Sequence, residues 1–569
     1  MTGADDRLDE AIQRTVSLLR RTRRLDGSWV DELPSAAVAT GAAVTALAVA
    51  TATASADLVA GGAAWLRRTQ NDDGGWGDAP GAPTTLNATA ISVAALRVAD
   101  PKAHAHPVAR GIAAIEGLGG GEALRDRARC SLSLVCRQLL ALAGAWDETQ
   151  IHRLPFELVL LPGGLRKKLS FTVPGLMAWG VMQAHTRPAG PARQVVNRWA
   201  ERGALRYLDT IRRYQGPAGG IEESPLMVSV VLIGLARAGV EPAAVREQVA
   251  YLHRTVRPDG SWAVTRDLDH FATALATLAL TEARGADDAW LSSTLAWVER
   301  ARRDLPFPPT GCPAGGWGWA LPSGWPDTDD TAYAVTALAQ RGRRGSAAVA
   351  GGVAWLRAMQ NSNGSWSCFT RNARISLDAP CVVLTAHAVA ALRAAGAEPA
   401  DESLARAQRW LARVQHADGS YDAIWYRPGT SGTAAALETF ALLGAAGTEP
   451  ACRARGRLVQ SQLADGGWNS GRDDGPATAE ETAWALLALL AAGVRADDPT
   501  ADRAARWLLA AQRRDGRWAP SRVGIYYLDL TYSDDMFSTA YALAALARYR
   551  DAQPRSRQSA TGTATRLSV

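Results

Sequence analysis

Apolar residues recur at helical spacing along most of the chain, in segments such as Ala332 to Gln340 and Ala479 to Ala492 that are rich in Ala and Leu. Polar, Gly-containing turns punctuate them. Asp26-Gly27-Ser28-Trp29, Asp73-Gly74-Gly75-Trp76, Asp259-Gly260-Ser261-Trp262, Gly315-Gly316-Trp317, Asn363-Gly364-Ser365-Trp366, Asp418-Gly419-Ser420-Tyr421, Asp465-Gly466-Gly467-Trp468 and Asp515-Gly516-Arg517-Trp518 are variants of one unit. Several carry a Gln three residues earlier (Gln70, Gln360, Gln415, Gln462, Gln512). Most neighbours lie about fifty residues apart, a repeat-architecture spacing. Each unit therefore reads as helix, tight turn, helix, with Asp-Gly supplying the local hydrogen bond and the permissive backbone. Two helices cannot bury their apolar faces alone, so the units are expected to close into an all-α α/α toroid. The repeat thins between Gly81 and Arg257, where Gln215-Gly216-Pro217-Ala218-Gly219-Gly220-Ile221 is a degraded copy, which points to two barrels.

No charge appears between Glu32 and Asp57, a length that can span a bilayer. The stretch is mostly Ala, Thr, Val and Gly, so helices buried in a large barrel fit it better. The Ser/Thr/Arg-rich tail, 551–569, is expected to be disordered.

Composition changes the picture at one point: 20 Trp stand against 7 Phe, an excess of electron-rich ring faces. The net charge of +6 raises nucleic acid as a partner, but Arg is spread along the whole chain and Lys is confined to Lys102, Lys167 and Lys168. No nucleic-acid motif is present. Six scattered Cys without a CxxC pair read as free thiols of a reducing compartment. The acidic start of the chain lacks a signal peptide's basic and apolar regions, so a cytoplasmic location is expected, with peripheral membrane contact compatible with the charge.

The candidate chemistry lies in Pro326-Asp327-Thr328-Asp329-Asp330-Thr331-Ala332, three carboxylates in four positions where a loop gives way to a helical pattern. Each anion raises the pKa of its neighbours and burial raises it further, so one Asp is expected to stay protonated near neutral pH and to act as an acid. A plain helix N-terminus and a hard-cation site are the simpler readings of the same residues.

The repeated QxxDG(G/S)W turns together with PDTDDTA resemble the QW motifs and DxDD acid of class II terpene cyclases, the squalene-hopene cyclases and bacterial copalyl diphosphate synthases, over nearly the whole chain. The resemblance implies a βγ arrangement of two α/α barrels, here a β domain of residues 1–21 plus 266–550 and an inserted γ domain of 22–265, with a cavity between them. It makes Asp329 the proton donor, held and tuned by hydrogen bonds from Asp327 and Asp330. Thr385-Ala386-His387 is similar to the family's TAH segment, which makes His387 the hydrogen-bond partner of the acid. Trp319, Trp425 and Tyr526 match cavity aromatics, Phe271 stands where a squalene cyclase shows Trp-Asp-Thr, and Thr172 replaces an aromatic in Ser170-Phe171-Thr172. Ser533-Asp534-Asp535-Met536-Phe537 likewise replaces a Tyr-Arg-His-x-Phe pattern.

These departures resemble the cyclases that keep a diphosphate. The expected reaction is protonation-initiated cyclisation of a linear prenyl diphosphate, geranylgeranyl diphosphate first, to a bicyclic copalyl-type diphosphate by a monomer or homodimer. A squalene-hopene-type triterpene or meroterpenoid cyclase is the nearest alternative. A diphosphate calls for cations and often Mg2+, for which Arg166, Lys167, Lys168, Glu222-Glu223 and Asp31-Glu32 are the candidates. Asp378, Cys381 and His387 raise a zinc prenyltransferase as a different class, although DxxC is not that family's spacing, and a non-catalytic helical scaffold is a third. Asp497-Asp498-Pro499-Thr500-Ala501-Asp502 is too loose an echo of an aspartate-rich motif, with no partner downstream, to support ionisation of the diphosphate.

Overall fold

A computed structural model of the chain describes residues 2–51, 53–161, 172–187, 189–216, 218–322, 324–470, 475–527 and 530–553. The expected basic cluster Arg166, Lys167 and Lys168, and the tail from 554 onward, lie outside the described residues, whereas Asp551 and Ala552, expected in the tail, end the last helix. The N-terminal part contains α1 (Thr2–Thr22), α2 (Ala37–Thr51), α3 (Ala56–Arg68), α4 (Leu86–Ala99), α5 (Ala105–Gly117) and α6 (Gly120–Arg125). It continues through α7 (Ser133–Leu142), α8 (Val173–Thr186), α9 (Pro191–Gln215), α10 (Pro225–Ala238) and α11 (Pro242–Thr255). The C-terminal part contains α12 (Asp269–Glu282), α13 (Asp288–Arg300), α14 (Thr328–Leu338), α15 (Ala347–Met359), α16 (Val382–Ala394) and α17 (Glu402–Val414). It ends with α18 (Thr430–Leu442), α19 (Glu449–Gln460), α20 (Ala479–Ala491), α21 (Pro499–Ala511) and α22 (Asp535–Ala552). A two-stranded antiparallel hairpin, β1 (Gly524–Tyr527) and β2 (Leu530–Tyr532), departs from the all-helical pattern.

The C-terminal helices form a closed α/α barrel. Inner helices α12, α14, α16, α18, α20 and α22 pack each on the next, and α22 returns to α12. Their circumference is apolar or small almost throughout, as in α20, because a ring neighbour lies on each side and an outer helix behind. Outer helices are one-sided: α17 buries Leu404, Ala407, Trp410 and Leu411 at three- and four-residue spacing. The last outer place is filled by α1, which packs on α22 across the length of the chain. In the second barrel α7, α4, α2, α10 and α8 follow one another as inner helices, backed by α3, α5, α9 and α11. The uncharged stretch after Glu32 is thus α2, an inner helix whose residues from Ala37 to Leu47 are all buried. Among the described residues no helix is long and apolar enough to cross a membrane.

The turns fasten one hairpin to the next. In the Asn363 copy, Asn363 Oδ1 accepts the Ser365 amide at 3.1 Å, and Trp366 Nε1 donates to Leu356 O on the preceding outer helix at 2.7 Å. The Trp366 amide donates to Thr385 Oγ1 on the following inner helix at 3.0 Å, and Gln360 Nε2 bridges Gly364 O and Ser403 O, the latter on the next outer helix. Gly364 has φ +98° and its Cα lies so close to Arg406 that an added Cβ would stand 2.4 Å from the Arg406 carbonyl oxygen, so both conformation and space demand glycine there.

The same bonds close the C-terminal barrel and tie the N-terminal helices together. Gln512 Nε2 donates to Ala11 O at 2.9 Å, joining the last turn to α1. The turn after α1 donates from the Trp29 amide to Thr273 Oγ1 on α12 at 2.9 Å, and Gly27 O accepts Thr294 Oγ1 on α13. This ties the chain through Trp29 to the C-terminal barrel, beyond the division expected after residue 21. The Trp262 amide donates to Thr40 Oγ1 on α2 at 3.0 Å, joining the last turn of the N-terminal barrel to its first inner helix.

Candidate active site

Asp327, Asp329 and Asp330 occupy the start of α14. Asp327 is its N-cap, with Oδ1 accepting the Asp330 amide at 2.9 Å, and Asp329 and Asp330 lie in the first turn, where the helix N-terminus favours negative charge. The helix-start reading is therefore observed, and the same geometry leaves the Asp329 carboxyl free of the capping role. Asp329 is not solvated on an outer face: its side chain is 14% exposed and lines a largely apolar cavity of about 110 Å³. The cavity sits over the N-terminal ends of the inner helices, and Leu33 and Glu222 reach it from the N-terminal part of the chain.

The hydrogen bonds to Asp329 differ from those expected. None comes from Asp327 or Asp330. His387 Nδ1, from α16, lies 2.5 Å from Asp329 Oδ1, and the Tyr426 hydroxyl donates to Asp329 Oδ2 at 2.5 Å. Asp327 instead bonds to the backbone of Asp330, because the N-cap role turns its Oδ1 toward the Asp330 amide. Burial, followed by the adjacent Asp330 charge, pushes the Asp327 carboxyl well above the usual carboxylate range. Burial and the Asp329 charge raise the Tyr426 phenol in the same way, which keeps it a hydrogen-bond donor. Behind His387, its Nε2 lies 3.5 Å from the Tyr333 hydroxyl, which pairs with Tyr541.

Rings line the rest of the cavity. Trp319, Trp425, Phe271 and Tyr526 all face it. Phe369 stands between the two indoles, edge-on to Trp319 at 5.9 Å and to Trp425 at 5.7 Å, and its amide is held by Asp378 Oδ1 at 3.0 Å. Trp319 Nε1 donates to Thr265 Oγ1 and the Tyr526 hydroxyl to Ser224 Oγ, so the polar ends of these rings are engaged. Thr172 does not join them: it sits at the N-terminus of α8, outside the cavity lining. Tyr426, Phe369 and Tyr532 are cavity residues that sequence reasoning missed. Tyr426 adjoins Trp425, but nothing local marks it as a partner of a residue 97 positions earlier.

Among the polar groups of the cavity Glu222 stands apart. It is 2% exposed, has no hydrogen-bond partner among the described residues, and holds φ at +60°, followed by Glu223 at +49°. Two consecutive non-glycine residues in the left-handed region are costly, about 1–3 kcal/mol each, and such strain collects at ligand sites. Burial alone pushes its carboxyl well up. Glu223 is already used, accepting the Tyr251 hydroxyl at 3.2 Å, and Asp31 is bonded to Asp534 and to the Met536 amide. Asp378, Cys381 and His387 do not converge: the first holds Phe369 and the last holds Asp329. Among the described residues no group of three His, Cys, Asp or Glu side chains is placed to bind a metal on its own.

Two sequence profiles of one family match the chain, the squalene-hopene cyclase N-terminal domain over residues 12–179 and its C-terminal domain over 268–551. A probable squalene-hopene cyclase of Sinorhizobium fredii is 27% identical across 86% of this chain and 88% of its own. A drimenyl diphosphate synthase of Streptomyces showdoensis is 29% identical across 58% of this chain and 60% of its own. The solved ent-copalyl diphosphate synthase of Streptomyces platensis shares the fold, with a TM-score of 0.61 over 95% of this chain and 99% of its own at 22% identity.

Proposed function

Because the chain belongs to the squalene-hopene cyclase family and is a class II terpene cyclase acting on isoprenoid substrates, we propose that its substrate is a linear prenyl diphosphate, geranylgeranyl or farnesyl diphosphate, cyclised with the diphosphate retained. The observation that carries this is Glu222. A buried carboxyl without a partner costs about 1–3 kcal/mol, and an all-hydrocarbon substrate such as squalene would leave it unpaired. A diphosphate head does not. Mg2+ is commonly held by one or two carboxylates together with substrate phosphates, so one free carboxyl fits Mg2+ bound with a diphosphate. Glu222 would hold the ion, which when bound neutralises the phosphate charge.

Asp329 is the proton donor of this scheme. Its hydrogen passes to the terminal carbon–carbon double bond, leaving a tertiary carbocation and an Asp329 carboxylate. That carboxylate gains hydrogen bonds from His387 and Tyr426 and the field of the α14 N-terminus, interactions stronger with the charged form than with the neutral acid. Transition-state stabilisation is therefore concentrated on the leaving proton's oxygen atoms. Trp319, Trp425, Phe271, Phe369 and Tyr526 face the migrating cation with π-clouds that attract it without bonding to it, and the dry cavity keeps water from quenching it early.

A squalene or meroterpenoid substrate is the second reading, supported by the family name and by the Sinorhizobium relative. Incubation with geranylgeranyl diphosphate, farnesyl diphosphate and squalene, with Mg2+ or with EDTA, separates the two. Cyclic diphosphates are expected with Mg2+, and Glu222→Gln should lower kcat/KM for them about ten- to hundredfold. Turnover of squalene alone would overturn the diphosphate reading.

A further inference from the structure

A second histidine stands beside the acid cluster and no step above uses it. His270, in the first turn of α12, is completely buried, and its Nδ1 lies 3.5 Å from Asp330 Oδ1. Its ring lies within 16° of parallel to the Trp297 indole and 20° of parallel to that of Trp317, with centroids 6.1 and 6.4 Å away. Its Nε2 has no hydrogen-bond partner among the described residues.

Asp327 and Asp330 are 2% and 4% exposed, and the Asp330 amide donates to Asp327 Oδ1 at 2.9 Å, which holds the two carboxyls side by side. Two adjacent buried carboxyls cannot both ionise cheaply, so one keeps its proton and the pair carries one negative charge. A buried charge without a counter-charge is expensive, and among the described residues His270 is the basic side chain that ion-pairs with either Asp. Two indole faces nearby favour a cationic ring. The other charged groups at this end of α12 are already engaged: Arg266 with Asp267, the Asp269 carboxyl with the Leu321 amide, and Asp31 with Asp534 at the start of α22.

We propose that His270 is a positioning residue that carries the counter-charge of the Asp327–Asp330 pair, so that the pair adds no net negative field at Asp329. Without it, the neighbouring anion would make Asp329 hold its proton more tightly, and the acid would be weaker. His387 then acts on the donor directly and His270 acts through Asp330. This rests on Asp329 being the donor.

The test is His270→Gln, which can still donate to Asp330 but carries no charge, alongside His270→Phe, which keeps the ring. With geranylgeranyl diphosphate, both should show a kcat plateau about tenfold lower. The limb where activity falls with rising pH should move up by about one pH unit, with KM little changed. A purely structural His270 would lower melting temperature and leave the limb in place, and that outcome overturns the proposal. A second measurement needs neither substrate nor a folded variant. Imidazole nitrogen shifts of wild-type protein labelled with 15N-histidine, His270 being assigned by through-space contacts to the two indoles, should show both ring nitrogens protonated at neutral pH. A neutral imidazole there would overturn the proposal while leaving the cyclase reading untouched.

Discussion

The Asn363 turn and the Gln215 turn are copies of one motif with opposite fates. In the first, glutamine, asparagine and tryptophan satisfy one another and the flanking helices, and the one non-glycine residue in the left-handed region between this turn and α16 is Asn372, a residue type that tolerates it. In the second, Gln215 Nε2 is buried without a partner among the described residues, and the chain leaves through Glu222 and Glu223 in the left-handed region. The regular copies build the barrel; the degraded one places a carboxyl in the cavity. The regular copies also lead into Asp329, Phe369 and Tyr426, the Trp317 amide donating to Thr331 Oγ1 at 3.0 Å as the rule requires, so the broken repeat marks Glu222 and not the acid.

The division between scaffold and site can be broken from either side. Trp468 is fully buried, with Nε1 on Leu458 O and its amide on Thr482 Oγ1. Trp468→Ala should cost about 3–5 kcal/mol of stability, read by denaturant unfolding, and any lost activity should track the unfolded fraction. Tyr426→Phe belongs to the other side. It removes one hydrogen bond to the Asp329 carboxylate, so kcat should fall about ten- to hundredfold while the unfolding midpoint moves little. If Tyr426→Phe unfolded the protein, or Trp468→Ala slowed a fully folded enzyme, scaffold and site would not be separable in this way.

What could be read in the chain beforehand follows the reach of each interaction. The turns were legible because Asp, Gly and Trp settle their geometry within four residues, and the inner helices because a run apolar on every side has no solvent face. Asp329 was legible as a candidate acid from its crowded neighbours. The roles of Asp327 and Asp330 were not, because whether an N-cap carboxyl meets the next turn's amide or the acid between them depends on backbone angles. Tyr426, Phe369 and His270 act across separations of tens of residues that no local pattern encodes. Thr172 was placed by analogy with an aromatic position, and the start of α8 does not carry it to the cavity.

The claim on which the rest depends is proton transfer from Asp329 to a carbon–carbon double bond. Its most direct test is product mass and deuterium NMR after incubation of geranylgeranyl diphosphate with wild-type protein and with Asp329→Asn in D2O. The account predicts a cyclic product bearing one solvent-derived deuterium at the carbon protonated first, and no product from a normally folded Asp329→Asn. An unlabelled cyclic product, or comparable cyclisation by Asp329→Asn, would contradict it.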